Sequence, residues 1–287
     1  MITILNRVDI LFDSLEHFWE HKRTERAAAN LLIITFLGAL LLIEFRRQGW
    51  LPDALASVMP TSHYYAINIA FSMLLAIEVL ALVFSLANSV SDSVGKQFEI
   101  LSLILLRHSF KEIIYFKEPL IWAEAPEPVM HILSYAGGAL LLFLLLGLYY
   151  KLQKHRVLNQ SIAVTTEFIS SKKLVSLLLL CIFSGMGIAD ALLYLGGEPV
   201  FDFFALFYTI LVFSDVLLVL VSLRYSSNYQ IVFRNSGFAV ATVVVRLALT
   251  APPYIAVLLG VGAMLFAIGI TFAYNRFEKI NTHAELS

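Results

Sequence analysis

The chain has a single cysteine, Cys181, set inside an apolar run. That excludes a disulfide framework and a thiolate metal site. Charge is scarce: only 14% of the 287 residues are Asp, Glu, Lys or Arg, and the formal net charge is -1. With no basic cluster interleaved with aromatics, nucleic acid is excluded as a partner. No nucleotide-binding loop, zinc signature or Ser/His/Asp arrangement is present, so neither enzymatic activity nor a cofactor is expected. Residues 1–27 lack the basic-then-apolar order and small-residue cleavage site of a signal peptide, so insertion is expected to rely on the first true span.

What the sequence has instead is apolar length. Hydrophobic residues make up 59% of the chain, more than a single soluble core of this size can bury, and they come in long uncharged runs. Residues 2–19 place Val8, Leu11, Phe12, Leu15 and Trp19 at helical spacing with Asp9, Asp13 and Glu16 between them. This predicts an amphipathic helix, too charged to span, lying in the interface or against a bundle.

Eight spans follow, at about 30–45, 64–88, 98–115, 129–150, 174–195, 203–225, 236–249 and 254–274. The prolines fall at span ends or between spans, where no helix interior is broken. The expected fold is therefore an all-α integral membrane protein. It comprises an interfacial helix at 1–27, four-helix repeats at 28–156 and 172–279, and a cytoplasmic linker at 157–171. Eight spans leave 14 of the 20 Lys and Arg residues on the face that carries both termini, which predicts cytoplasmic termini. The bilayer is thus the expected partner, in the cell inner membrane.

The two halves align without gaps inside each helix. Glu44 falls on Asp190, Glu78 on Asp215, Ser85 on Ser222, Arg107 on Arg246 after a two-residue shift, and Tyr150 on Tyr274. Each half has an even number of spans, so the expected relation is a parallel repeat about an axis along the membrane normal. In each half a polar turn (Ser91 to Gly95, Ser226 to Gln230) lies midway between acid and base, so a hairpin brings the two to one height. At 1.5 Å per residue, Glu78, Arg107, Asp215 and Arg246 all lie about 14–18 Å from their membrane face, near the middle of a core about 30 Å thick.

The second half resembles a known family. Asp215 through Arg234, the run Ala241-Thr242-Val243-Val244-Val245-Arg246-Leu247 and Tyr274-Asn275-Arg276 are similar to the bacterial phosphate-starvation-inducible E family of four-span inner-membrane proteins. About 75 residues carry the resemblance, and the first half shares it only through Glu78 and Leu105-Leu106-Arg107. It implies a helical fold and an inner-membrane location. This chain departs from the family in holding two units.

A lone charge at mid-membrane costs about 2.5–3.5 kcal/mol, and an arginine fork shared between carboxylates relieves it. Two triads are expected: Glu44/Glu78/Arg107 and Asp190/Asp215/Arg246. Two carboxylates on one cation raise one pKa, which makes a proton carrier or cation site. The other reading is structural, since buried ion pairs fix helix register. The function expected first is a non-enzymatic structural or regulatory component; the alternative is a channel or transporter for protons or small ions. His108, beside Arg107, is a candidate proton relay. Lys96 and Arg234 are expected to anchor to lipid phosphates. The small-residue faces at Gly185, Gly187, Gly260 and Gly262 suit helix packing, or a second copy in a homo-oligomer.

Overall fold

The computed structural model describes residues 2–52, 60–87, 90–153, 162–196, 202–225 and 228–284. Among them are nine α-helices and no strand. They are α1 (Ile2–Trp19), α2 (Lys22–Arg47), α3 (Tyr64–Ser85), α4 (Val90–Lys111), α5 (Pro126–Leu152), α6 (Ile162–Gly196), α7 (Phe203–Tyr225), α8 (Tyr229–Thr250) and α9 (Pro253–Ala284). Two 3-10 turns, Glu112–Tyr115 and Trp122–Glu124, link α4 to α5. The starts of these helices are set by local chemistry. Pro126 and Pro253 open α5 and α9, where the missing N–H costs nothing. Asn228 caps α8 by accepting from the Gln230 N–H at 2.9 Å.

Seven of the helices are long and apolar enough to cross a membrane: α2, α3, α5, residues 168–190 of α6, α7, α8 and α9. The protein is thus a multi-pass, all-helical membrane protein. The remaining long helix, α4, does not qualify, because Asp92, Lys96, Glu99, Arg107 and Lys111 interrupt it. It is covered by protein on one side: α4 packs on α3, α5 and α8 with Phe98, Leu101, Ile104 and Leu105 fully buried, while Leu103, Leu106 and Phe110 face outward. A helix with so many charges is stable at that depth only if neighbours cover its apolar stripe and its charges find partners.

Helices adjacent in sequence pack together from α2 to α5 and from α6 to α9, and the two sets meet where α4 touches α8 and α5 touches α9. The α5–α9 seam is close because Gly138 has no side chain; a Cβ there would come within 2.6 Å of the Val257 methyls. Away from the seam, Leu133, Phe143, Phe213 and Leu258 face outward, as residues bathed in lipid do.

Two segments differ from the sequence reading. Residues 162–171, within or next to the expected polar linker, are the first turns of α6. Ser91 to Gly95, expected as a turn, is helical at the start of α4. In both, helix propagation from the apolar segment beyond overrides local polarity. Of the turn expected from Ser226 to Gln230, Asn228 is the cap of α8 and Tyr229 and Gln230 are already helical, while 226–227 and the rest of the linker, 154–161, lie outside the described residues.

The amphipathic helix α1 docks on α6. Phe12 is completely buried against Phe84, with ring centroids 5.8 Å apart, and Trp19 stacks on the same ring at 5.6 Å. Lys173 of α6 pairs with Asp13 at 2.6 Å, and Ser170 donates to Asp9 at 2.8 Å. Ile10, Leu11 and Phe18 stay exposed on the other side, as an interfacial helix requires.

Candidate functional site

Both expected acid–arginine pairs are formed. In α7 and α8, Arg246 Nε donates to Asp215 Oδ2 at 3.3 Å, with the two side chains 0% and 3% exposed. In α3 and α4, Arg107 Nη1 is paired with Glu78 Oε1. Here the seal is looser, because the Arg107 side chain is 27% exposed. One half buries its pair; the other leaves it at a wall.

Neither pair grows into the expected triad. Glu44 makes no ion pair with Arg107. It lies in the last turn of α2, where Gln48 donates to Oε1 at 2.7 Å and His63 Nε2 sits 3.1 Å from Oε2. Asp190 makes no ion pair with Arg246, and its Oδ1 is buried without a protein partner. Helical height was right for the pairs but not for Glu44, whose partner His63 precedes α3 and lies fifteen residues, about 22 Å along the helix, from Glu78.

The second partner of Arg246 is a neutral amide from the other set of helices. Its Nη2 donates to Gln97 Oε1 on α4 at 3.1 Å, and Gln97 Nε2 donates to Ser93 Oγ at 3.3 Å. A buried guanidinium left with one carboxylate would strand donors in an apolar core, and Gln97 takes one of them. Arg246 Nη1, Tyr208 OH and Ser176 Oγ, all deeply buried nearby or on adjoining helices, find no hydrogen-bond partner among the described residues.

A cavity touches each acid. The larger, about 380 Å³, lies between α1, α2, α3 and α4 and is floored by Glu78 and Arg107. Glu16, Glu20, Glu25, Lys96 and Glu99 line its walls toward the end of the bundle that carries α1. Five carboxylates thus face two cations, and both cations are already matched, Arg107 by Glu78 and Lys96 by Glu99 at 2.7 Å. Burial, then the neighbouring Glu20 and Asp13, push the Glu16 carboxyl above the usual range. The smaller cavity, about 50 Å³, touches Asp215, Gln97, Ser222 and the buried Lys172 of α6.

The remaining expected residues find the following places. His108 packs edge-on to Tyr135, ring centroids 5.4 Å apart, and borders a third cavity of about 230 Å³ with Asn68, Lys111 and Glu112. Lys96 is taken up by Glu99, and Arg234 lies over the Tyr274 ring at 4.7 Å. Among the described residues no group of His, Cys, Asp and Glu is placed to hold a metal ion.

Protein-family models, curated proteins and solved structures were compared with the chain, and none matches it.

At the far end of the bundle lies a cluster that the sequence did not point to. Arg47 and His63 both reach Glu118 Oε1 at 2.9 Å, and the His63 N–H donates to Glu118 Oε2 at 3.1 Å. The His63 side chain first, then its backbone N–H and the Arg47 guanidinium, hold the Glu118 carboxyl down at about 2, against a usual 4.5. A lowered folded-state value means that the stabilisation is full above pH 4.5 and is lost as pH falls toward 2. Exchange of the His63 amide, corrected for its intrinsic rate, is expected to speed up across that interval in wild type. In Glu118→Gln it should be fast throughout, and unchanged protection down to the acid limit would contradict the assignment.

Proposed function

We propose that this chain is an eight-span inner-membrane protein, built from two parallel four-helix repeats with cytoplasmic termini, that binds and passes protons or small cations at Glu78. The observation that carries this is the acid-rich cavity of about 380 Å³ ending on the Glu78–Arg107 pair. An intramembrane carboxylate that a cavity reaches can exchange its proton or counter-ion, whereas a sealed one cannot.

The repeat reading has support beyond the paired charges. Ser85 and Ser222, aligned in the two halves, each donate to the carbonyl three residues back at 2.7 Å. Gly95 lies against Tyr150 as Arg234 lies against Tyr274, and both couples align. The third helices of the two halves touch one another, as do the fourth. The cytoplasmic placement rests on the distribution of Lys and Arg. The resemblance to the phosphate-starvation-inducible E family belongs to this reading as support for fold and location only. The structural role expected first is here given to the second half, where Arg246 is sealed between Asp215 and Gln97 as a brace.

The test is proton flux into liposomes carrying the purified protein. Wild type is expected to dissipate an imposed pH gradient faster than empty vesicles, and Glu78→Gln to return the rate to the empty-vesicle level with an unchanged far-ultraviolet spectrum. Wild-type vesicles that hold the gradient as empty ones do would refute the reading.

A further inference from the structure

We infer that the cavity floored by Glu78 binds a small organic cation bearing a primary ammonium group, and that Lys172 is a tethered counterpart of that ligand in the second half. This deepens the function proposed above and rests on its repeat reading.

The two cavities occupy corresponding places. Glu78, Ala81 and Ser85 of α3 line the larger, and their aligned residues Asp215, Leu218 and Ser222 of α7 line the smaller. On the next helix, Glu99, Ile100 and Leu103 correspond to Phe238, Ala239 and Thr242 at the same offset as Arg107 and Arg246. Six lining positions drawn from two helices agree, so one pocket has been kept in both halves.

The halves differ in what fills it. In the second, Lys172 enters from α6, is 4% exposed, carries its ammonium 5.5 Å from the Phe168 ring with Asp92 of α4 as its charge partner, and borders a space of only about 50 Å³. The alignment of α2 with α6 puts Arg26 at the position of Lys172, and Arg26 is exposed and does not line the larger cavity. The first half therefore keeps the pocket and lacks the built-in cation.

The walls have changed to suit a free one. Phe238 of the second half is matched by Glu99 in the first, and α1, α2 and the turn between them add Glu16, Glu25 and Glu20. Lys96 and Arg107 are neutralised by Glu99 and Glu78, and Lys173 lies near Glu16, which leaves Glu20 and Glu25 to attract a cation. Trp19 in the wall offers an aromatic face, as Phe168 does to Lys172. A volume of about 380 Å³ is in the range of small-molecule pockets, roughly 300–1,000 Å³, and far larger than a bare metal ion needs.

The experiment is calorimetric titration of the full-length protein in detergent with n-butylammonium chloride, with sodium chloride as control. Wild type is expected to bind one butylammonium saturably and to show no such binding of sodium. Glu20→Gln should weaken the affinity severalfold, and Lys172→Ala, by emptying the second pocket and leaving Asp92 without its cation, should raise the stoichiometry from one to two. The absence of saturable binding, equal binding of sodium, or a stoichiometry that stays at one in a folded Lys172→Ala protein overturns the inference. Should Lys172→Ala fail to fold, Glu20→Gln decides, and unchanged affinity there is equally fatal. Butylammonium binding without Glu78-dependent proton flux would defeat the transport reading and leave this site standing; flux without binding would do the reverse.

Discussion

Arg246→Met will lower the melting temperature in detergent more than any other single exchange of a charged side chain in the bundle. The guanidinium is buried completely, and its removal leaves the Asp215 carboxylate, 3% exposed, without a counter-charge, and Gln97 without its donor. Breaking a buried pair from one side costs about 3–5 kcal/mol, because the stranded charge keeps its desolvation penalty and loses its compensation. Taking out both members removes that penalty. Arg246→Met combined with Asp215→Leu is therefore expected to recover most of the loss, and a double variant no more stable than the single would show that the pair is not the cause. The corresponding Arg107→Met should cost less, since the 27% exposure of Arg107 and the adjoining cavity leave Glu78 a route to water.

Phe12→Ala is expected to free α1 from the bundle without unfolding the spans. Phe12 is fully buried in a small cluster with Trp19, Phe84 and Ala87, which joins the main core only at its edge through Leu180 of α6. Truncating a buried phenylalanine costs about 3–5 kcal/mol, enough to undo a docking that otherwise depends on the Trp19–Phe84 stack, on Lys173 with Asp9 and Asp13, and on the Ser170–Asp9 hydrogen bond. Hydrogen exchange should rise across Ile2–Trp19 and stay low through α4 and α8. Uniform loss of protection would mean that α1 is integral to the core. Because Glu16 and Trp19 wall the larger cavity, the same variant should weaken cation binding there.

The charged pairs were legible in the sequence because two facts sufficed. A mid-membrane charge needs a partner, and helical rise gives its height to within a turn. Glu78 with Arg107 and Asp215 with Arg246 meet on those grounds. Glu44 is out of reach by height: it meets His63 just before the start of α3, fifteen residues and so about 22 Å along the helix from Glu78, because the loop between α2 and α3 sets how far the two helices are staggered. Gln97 escaped notice because it is neutral, and its contact with Arg246 joins residues 149 positions apart. Lys172 was hidden differently: the polar stretch before Leu174 looks like a linker, and only the continuation of α6 turns that lysine into the core. The seven apolar helices could be read directly, while α4 needed its neighbours to be explained.

The bond from Arg246 to Gln97 also bears on how the molecule is made. The amide that completes the brace is in place in the membrane before the arginine it serves has been translated. Until α8 arrives, Gln97 must turn its oxygen to another donor; until Gln97 is reached, the newly inserted arginine is short of an acceptor. A molecule divided between its halves would carry both deficits at once, so neither fragment could settle alone what the intact chain settles by joining them.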